Sequence, residues 1–202
     1  MTARGRPPDP DLETRVHAAA LELYGEVGWA GFSFDVLARR AHVGKATLYG
    51  KWGSKERLIV AALATGLPPH PEEKTAGSLR DNLIQMAGEI LDSYLEPQGL
   101  VYLRAQIEAR VYPELFGQAL ESFQRERIRI GRAVVVAAID RGELPAGTSP
   151  ALVLDAVAGI LTSRFLSTPI GQTSALAARK GALVEEIVDF VLSAVHHRES
   201  GS

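Results

Sequence analysis

The chain has 202 residues, 46% hydrophobic and 23% charged, which excludes wholesale disorder and leaves one large domain or two small ones. Its 22 basic and 24 acidic residues leave a net charge of −2, too balanced for a protein that holds nucleic acid or membrane by bulk charge. Without cysteine it has no disulfide framework, thiolate metal site or thiol nucleophile, in keeping with a reducing cytoplasm.

The N-terminal residues, Met1-Thr-Ala-Arg-Gly-Arg-Pro-Pro, carry no apolar run of the kind a signal peptide needs. No run of 18 or more apolar residues follows, so no bilayer-spanning segment and no membrane partner are expected. The even charge balance hides an asymmetry. Residues 1–66 hold nine basic and seven acidic side chains, whereas 67–202 hold thirteen and seventeen. The boundary falls on 67–77, a stretch too rich in Pro and Gly for a helix or strand, and it reads as a linker.

Apolar residues recur at spacings of three and four throughout, with no sustained period of two, so the chain reads as all-α, with about nine helices. From about Pro10 to Val27 one side carries Leu12, Val16, Ala19, Ala20, Leu23 and Tyr24, and Gly28 ends the run. Ser33 caps a short helix from Phe34 to Ala41, a second short helix covers Lys45–Lys51, and Ser54 caps a third reaching about Thr65. Beyond the linker, Ser78 caps a helix to about Leu95, and the next runs to Val111. Pro113 suits the first turn of a long helix reaching residues 139–141, with Gly142 at its end. Ser149-Pro150 opens a helix to about Leu166, and the last covers about Ser174 to His197.

The stretch 33–58 is the most specific. Two short helices joined by His42-Val43-Gly44 make a helix-turn-helix pattern. At 100° per residue, Leu48 and Trp52 of the second helix point inward, toward Val43 and Leu37. Ala46 and Gly50 point outward between Thr47 and Tyr49, a face small enough to enter a major groove. Lys45, Lys51 and Lys55 ring this face, where phosphates would lie. The arm Arg4-Gly-Arg6-Pro is extended and doubly cationic, which suits a narrow minor groove.

Four stretches together resemble the tetracycline-repressor-like family of bacterial transcription regulators. They are Gly28-Trp-Ala-Gly-Phe-Ser33, Val36-Leu-Ala-Arg-Arg-Ala-His-Val43, Gly44-Lys-Ala-Thr-Leu-Tyr49 and Trp52-Gly-Ser-Lys-Glu-Arg-Leu58. The resemblance implies an N-terminal helix-turn-helix DNA-binding domain over 1–66, with a basic arm over 1–9. A C-terminal helical bundle over 78–202 would bind ligand and hold a homodimer. It places the recognition helix on Lys45–Lys51, with Thr47 and Tyr49 at phosphate-contacting positions and Lys45 and Lys51 at variable, base-contacting ones. Lys55 falls on a phosphate-binding lysine and Ser33 on a cap that meets the DNA backbone. Gly44 and Gly50 depart from the family's usual residues; the first weakens the helix start and the second removes a side chain that could read a base. The stretches Thr75–Leu83 and Arg141–Pro145 resemble one C-terminal subgroup.

In the C-terminal part, the helix from Pro150 is apolar around nearly its whole circumference, and the final helix is apolar over more than one face. Helices buried on two sides need a partner, which points to a homodimer seam through Val153, Val157, Ile160, Leu161, Val184, Ile187, Val188, Val191 and Val195. Polar or aromatic side chains on otherwise core-facing stripes mark a region for a small-molecule effector: Tyr94, Tyr102, Arg104, Gln106, Phe116, Phe123, Arg127 and Phe165. No phosphate loop, Glu-x-x-His pair or Gly-x-Ser-x-Gly elbow is present, so no enzyme, catalytic residue, metal or cofactor is expected. The expected protein is a cytoplasmic homodimeric repressor of a palindromic operator, released by an inducer. An activator, a ligand-independent regulator and a ligand-binding bundle without a DNA role are the alternatives.

Overall fold

A computed structural model of the chain describes residues 11–66, 77–96 and 99–197. Arg4 and Arg6 of the basic arm, and 67–76 of the linker, lie outside the described residues. Among the described residues there are ten α-helices, one 3-10 turn and no strand. The helices are α1 (Leu12–Gly31), α2 (Phe34–Arg40), α3 (Lys45–Trp52), α4 (Lys55–Gly66), α5 (Leu79–Leu95), α6 (Gly99–Val111), α7 (Pro113–Asp140), α8 (Pro150–Ser167), α9 (Thr173–Ala178) and α10 (Lys180–His197).

Local chemistry sets most of the boundaries. Ser33, Ser78 and Ser149 accept hydrogen bonds from amides in the first turns of α2, α5 and α8, and Ser54 accepts from Arg57 ahead of α4. Pro113 opens α7, and Gly142, with φ of 75°, stands just past its end. The segment expected as one final helix is instead a 3-10 turn (Ile170–Gln172) followed by α9 and α10. The step falls at Arg179, whose amide is shared between the Ala175 and Leu176 carbonyls, a tightened last turn. Neither Pro nor Gly stands at 179, so the spacing of apolar residues gives no sign of it.

Two compact units form. The first holds α1–α4 and also α6 with the first part of α7, through Glu121; the second holds α5, the rest of α7 and α8–α10. Leu100–Glu121 thus group by packing with helices that end more than thirty residues before them. The core of the first unit joins Val16, Leu23 and Tyr24 of α1 to Leu37, Leu48, Leu58 and Ile59 of the helices after it, and to Ala105 and Phe116. The core of the second packs Leu83 and Leu91 of α5 with Val135, Leu161 and Val188. There residues 77–83 and 141–145 meet. Glu143 accepts a hydrogen bond from the Leu79 amide at 2.6 Å, and Arg141 donates both to Glu143 and to the Gly77 carbonyl. By length and composition alone helix α8 is long and apolar enough to cross a membrane, although Asp155 and Arg164 leave it without an unbroken apolar run. Its Val153, Val157 and Leu161 are buried in the core of the second unit, Leu154, Ala156, Ile160 and Phe165 pack partly against that core, and Leu152 and Leu166 are exposed.

A histidine sits in the first unit's core. His17 is 6% exposed; Nδ1 lies 3.1 Å from Thr65 Oγ1, Nε2 has no partner, and the ring is 5.8 Å from that of Trp52. Burial holds its pKa below the ordinary 6.5, with Glu13 opposing the shift and Lys51 adding to it. The unfolded chain therefore takes up this proton first as pH falls. Stability is full above about pH 6.5 and declines below it until the folded histidine also titrates. Denaturant midpoints taken from pH 7.5 down to 5 should fall for the natural chain, and fall less for His17→Leu. Parallel profiles would refute this assignment.

Candidate nucleic-acid interface

Helix α3 buries only Leu48 and Trp52; Lys45, Ala46, Thr47, Tyr49, Gly50 and Lys51 are all exposed. Two anchors one turn apart hold the helix down and leave the opposite face clear. Gly44 precedes α3 with no side-chain cap, and Gly53, with φ of 75°, ends it by donating to the Tyr49 carbonyl at 2.9 Å. The Arg15 guanidinium donates to the Ala41 carbonyl at 3.3 Å, and Arg40 grips Glu26 through two hydrogen bonds of 2.8 and 2.6 Å. These contacts hold the turn before α3 against α1.

The basic rim is arranged in detail. Lys45 pairs with Asp35 of α2 at 2.7 Å, and Lys51 with Glu13 of α1 at 2.8 Å. The hydrogen bond to Asp35 raises the Lys45 pKa, and the one from Lys51 holds Glu13 below its ordinary 4.5. All four side chains are well exposed, so each pair contributes little to stability. Each lysine is free to exchange its carboxylate for an external anion. Tyr49 is 51% exposed, and its ring is braced edge-on against Phe34 at 4.9 Å. Lys55 is half-buried. Its ammonium lies 4.0 Å from the centre of the Trp29 ring and donates to the Phe32 carbonyl at 3.1 Å. Ser33 caps α2 beside it, its Oγ accepting from the Val36 amide at 3.4 Å. The described side chains of the expected set lie on the exposed face of α3 and at the starts of α2 and α4. Glu13, Asp35 and Trp29, which bind its cations, were not singled out in the sequence. Trp29 alone had a signal, its place in the Gly28–Ser33 stretch.

Gly50 has open space around it: a Cβ there would meet nothing within 4 Å. A glycine inside a helix costs about 1 kcal/mol relative to alanine. Gly50→Ala should raise the unfolding free energy by about 0.5–1 kcal/mol, read from the denaturant midpoint followed by tryptophan fluorescence. An unchanged or lowered midpoint would contradict this.

The residues expected around an effector divide between the units. Tyr102, Arg104, Gln106 and Phe116 belong to the first, and Tyr94, Phe123, Arg127 and Phe165 to the second. Phe116 is wholly buried against Tyr24 and Trp29, and Arg104 donates to the Tyr24 carbonyl at 3.2 Å, so both serve the packing of α1. In the second unit the Tyr94 hydroxyl meets that of Thr162 at 2.9 Å and its ring lies 5.2 Å from Phe165, while Arg127 covers the Phe123 ring at 5.7 Å.

The residues of the expected seam differ in exposure within the chain. Val153, Val157, Leu161, Val184, Ile187, Val188 and Val191 are buried in the chain's own core, with Val153 and Val191 reaching the wall of a groove between α8 and α10; of the expected set Ile160 and Val195 are partly exposed. The outward apolar side chains on α8 and α10 include Leu152, 57% exposed, and Phe190, 64% exposed. With Ala156, Ile160, Ala194 and Val195 they line this groove, of about 780 Å³.

Residues 17–62 match the family model described as "Bacterial regulatory proteins, tetR family", and residues 74–184 match "Tetracyclin repressor-like, C-terminal domain". An uncharacterized HTH-type transcriptional regulator of Mycobacterium bovis is 28% identical, over 80% of this chain and 81% of its own length. A DNA-binding transcriptional repressor, TetR, of Mycobacteroides abscessus is 29% identical, over 93% of this chain and 95% of its own. A solved TetR transcriptional regulator from Agrobacterium tumefaciens has the same fold, with a TM-score of 0.68 at 21% identity over 94% of this chain and 99% of that one.

Proposed function

The chain belongs to the tetracycline-repressor family of bacterial transcriptional regulators, and on that premise we propose that it is a homodimeric, cytoplasmic repressor released from a palindromic operator by a small-molecule inducer. The observation that carries the DNA-binding part is the outward face of α3, on which Thr47 and Tyr49 flank Ala46 and Gly50 between Lys45 and Lys51. Small residues at the centre let the helix approach base edges, and the cations and hydroxyls around them meet phosphates. Lys55 and Ser33 extend the phosphate contacts along the start of α4 and α2. In a dimer, two such helices enter successive major grooves about 34–36 Å apart, which makes the operator palindromic.

Two features support the dimer: the family's regulators pair, and α8 and α10 present an uncovered apolar groove. Within the second unit, Tyr94, Phe165, Phe123 and Arg127 are the candidate effector contacts. An inducer that binds one arrangement of the dimer better than another must, by linkage, bind less tightly when DNA is present.

Selection of bound genomic fragments, with and without candidate effectors, gives the operator, and gel-shift titration then tests the site. Lys51→Ala and Tyr49→Ala should weaken operator binding while leaving the dimer intact, and Lys51→Ala should also lessen the salt dependence if it meets a phosphate. Gly50→Ala should weaken binding although it stabilises the fold, because the added methyl group enters the groove-facing surface. Natural affinity in all three variants would sink the assignment.

A further inference from the structure

We infer that Glu108, on α6, is a positioning residue for the DNA-facing Lys55, acting through Trp29. The inference rests on the DNA-binding reading above but concerns a side chain that reading does not use. Helix α1 is interrupted at Gly28, where φ is 67° and ψ is −175°. The interruption exposes a carbonyl behind it and an amide ahead of it. One turn apart on α6, Arg104 and Glu108 answer both. Arg104 donates to the Tyr24 carbonyl at 3.2 Å, and the Trp29 amide donates to the Glu108 oxygens at 3.1 and 3.2 Å. The Trp29 ring is then held by Phe32, stacked at 5.9 Å, and by Phe116, edge-on at 5.9 Å.

Lys55 depends on this short turn twice. Its ammonium lies on the Trp29 ring at 4.0 Å and donates to the Phe32 carbonyl at 3.1 Å. A cation on an indole face and a hydrogen bond fix a long side chain that would otherwise sample many rotamers. An ammonium has three protons, so the remaining donors stay available to a phosphate. Glu108 thus anchors the backbone that carries the ring, and the ring anchors the cation. Without Glu108 the Trp29 amide loses its acceptor and the platform loosens.

The test is a double-mutant cycle on the full chain, reading operator affinity against salt concentration. Glu108→Ala should weaken binding roughly three- to thirtyfold. It should also lower the salt slope by about the 0.9 expected for one lost phosphate contact. In a Lys55→Met background it should cause no further loss. Glu108→Gln, which keeps an acceptor for the Trp29 amide, should restore most of the affinity, and Trp29→Leu should reproduce the loss with Glu108 in place. Equal losses with and without Lys55, or no loss in Glu108→Ala, would overturn the inference. A readout without DNA separates its failure from that of the DNA-binding reading. The Lys55 Cε protons, shifted upfield by the indole ring current, should move toward their free-lysine positions in Glu108→Ala, and an unmoved signal overturns the inference even if no fragment binds. If instead the natural chain binds no selected fragment, the DNA-binding reading fails.

Discussion

Gly28→Ala should destabilise the first unit by about 3 kcal/mol or more, because two penalties add at one atom. The backbone at φ 67°, ψ −175° lies in a region that only glycine occupies readily, and a side chain there costs of order 1–3 kcal/mol. The new Cβ would also stand 2.8 Å from Glu108 Oε1 and 3.2 Å from Arg104 Nη1. The carboxylate would have to retreat, and the Trp29 amide would lose the acceptor it now has. Both tryptophans of the chain, Trp29 and Trp52, lie in the first unit, so the fluorescence-detected unfolding midpoint reports it directly. At about 2–4 °C per kcal/mol the midpoint should drop by roughly 6–12 °C. A drop of a degree or less would mean that the Gly28 turn is not constrained as described.

Phe190→Asp should separate the proposed dimer and lower operator affinity by about a hundredfold or more, since two tethered reading heads bind far better than one. The folded monomer should survive. Phe190 is 64% exposed, and a surface substitution of this kind shifts stability by about 0.5 kcal/mol or less. Val188→Asp, two positions from it and in the expected seam, should behave oppositely, because Val188 is wholly buried and an unpaired carboxylate there opposes folding itself. Sedimentation with thermal unfolding separates the two effects. A Phe190→Asp chain that remains dimeric would move the seam away from the α8–α10 groove.

The sequence by itself determined what depends on a few neighbouring residues. Ser33, Ser78 and Ser149 mark helix starts, and Pro113 and Gly142 bracket α7, because capping and backbone preference act within one turn. The two faces of α3 were legible for the same reason: eight residues with two large apolar side chains one turn apart can bury only one stripe. The family was legible through ordered motifs in 28–58. What only the tertiary structure decided involves residues far apart in the chain. Helix α8 is apolar nearly all round, so periodicity has no contrast with which to choose the inward face, and packing against α5 and α10 chose Val153, Val157 and Leu161. Glu108 belongs to no motif in the sequence, and only the fold brings it to an amide 79 positions earlier and seats Lys55, expected at a phosphate, on an indole ring. Propensity and periodicity carry no term for such pairs; they arise only when α6 returns to pack on α1.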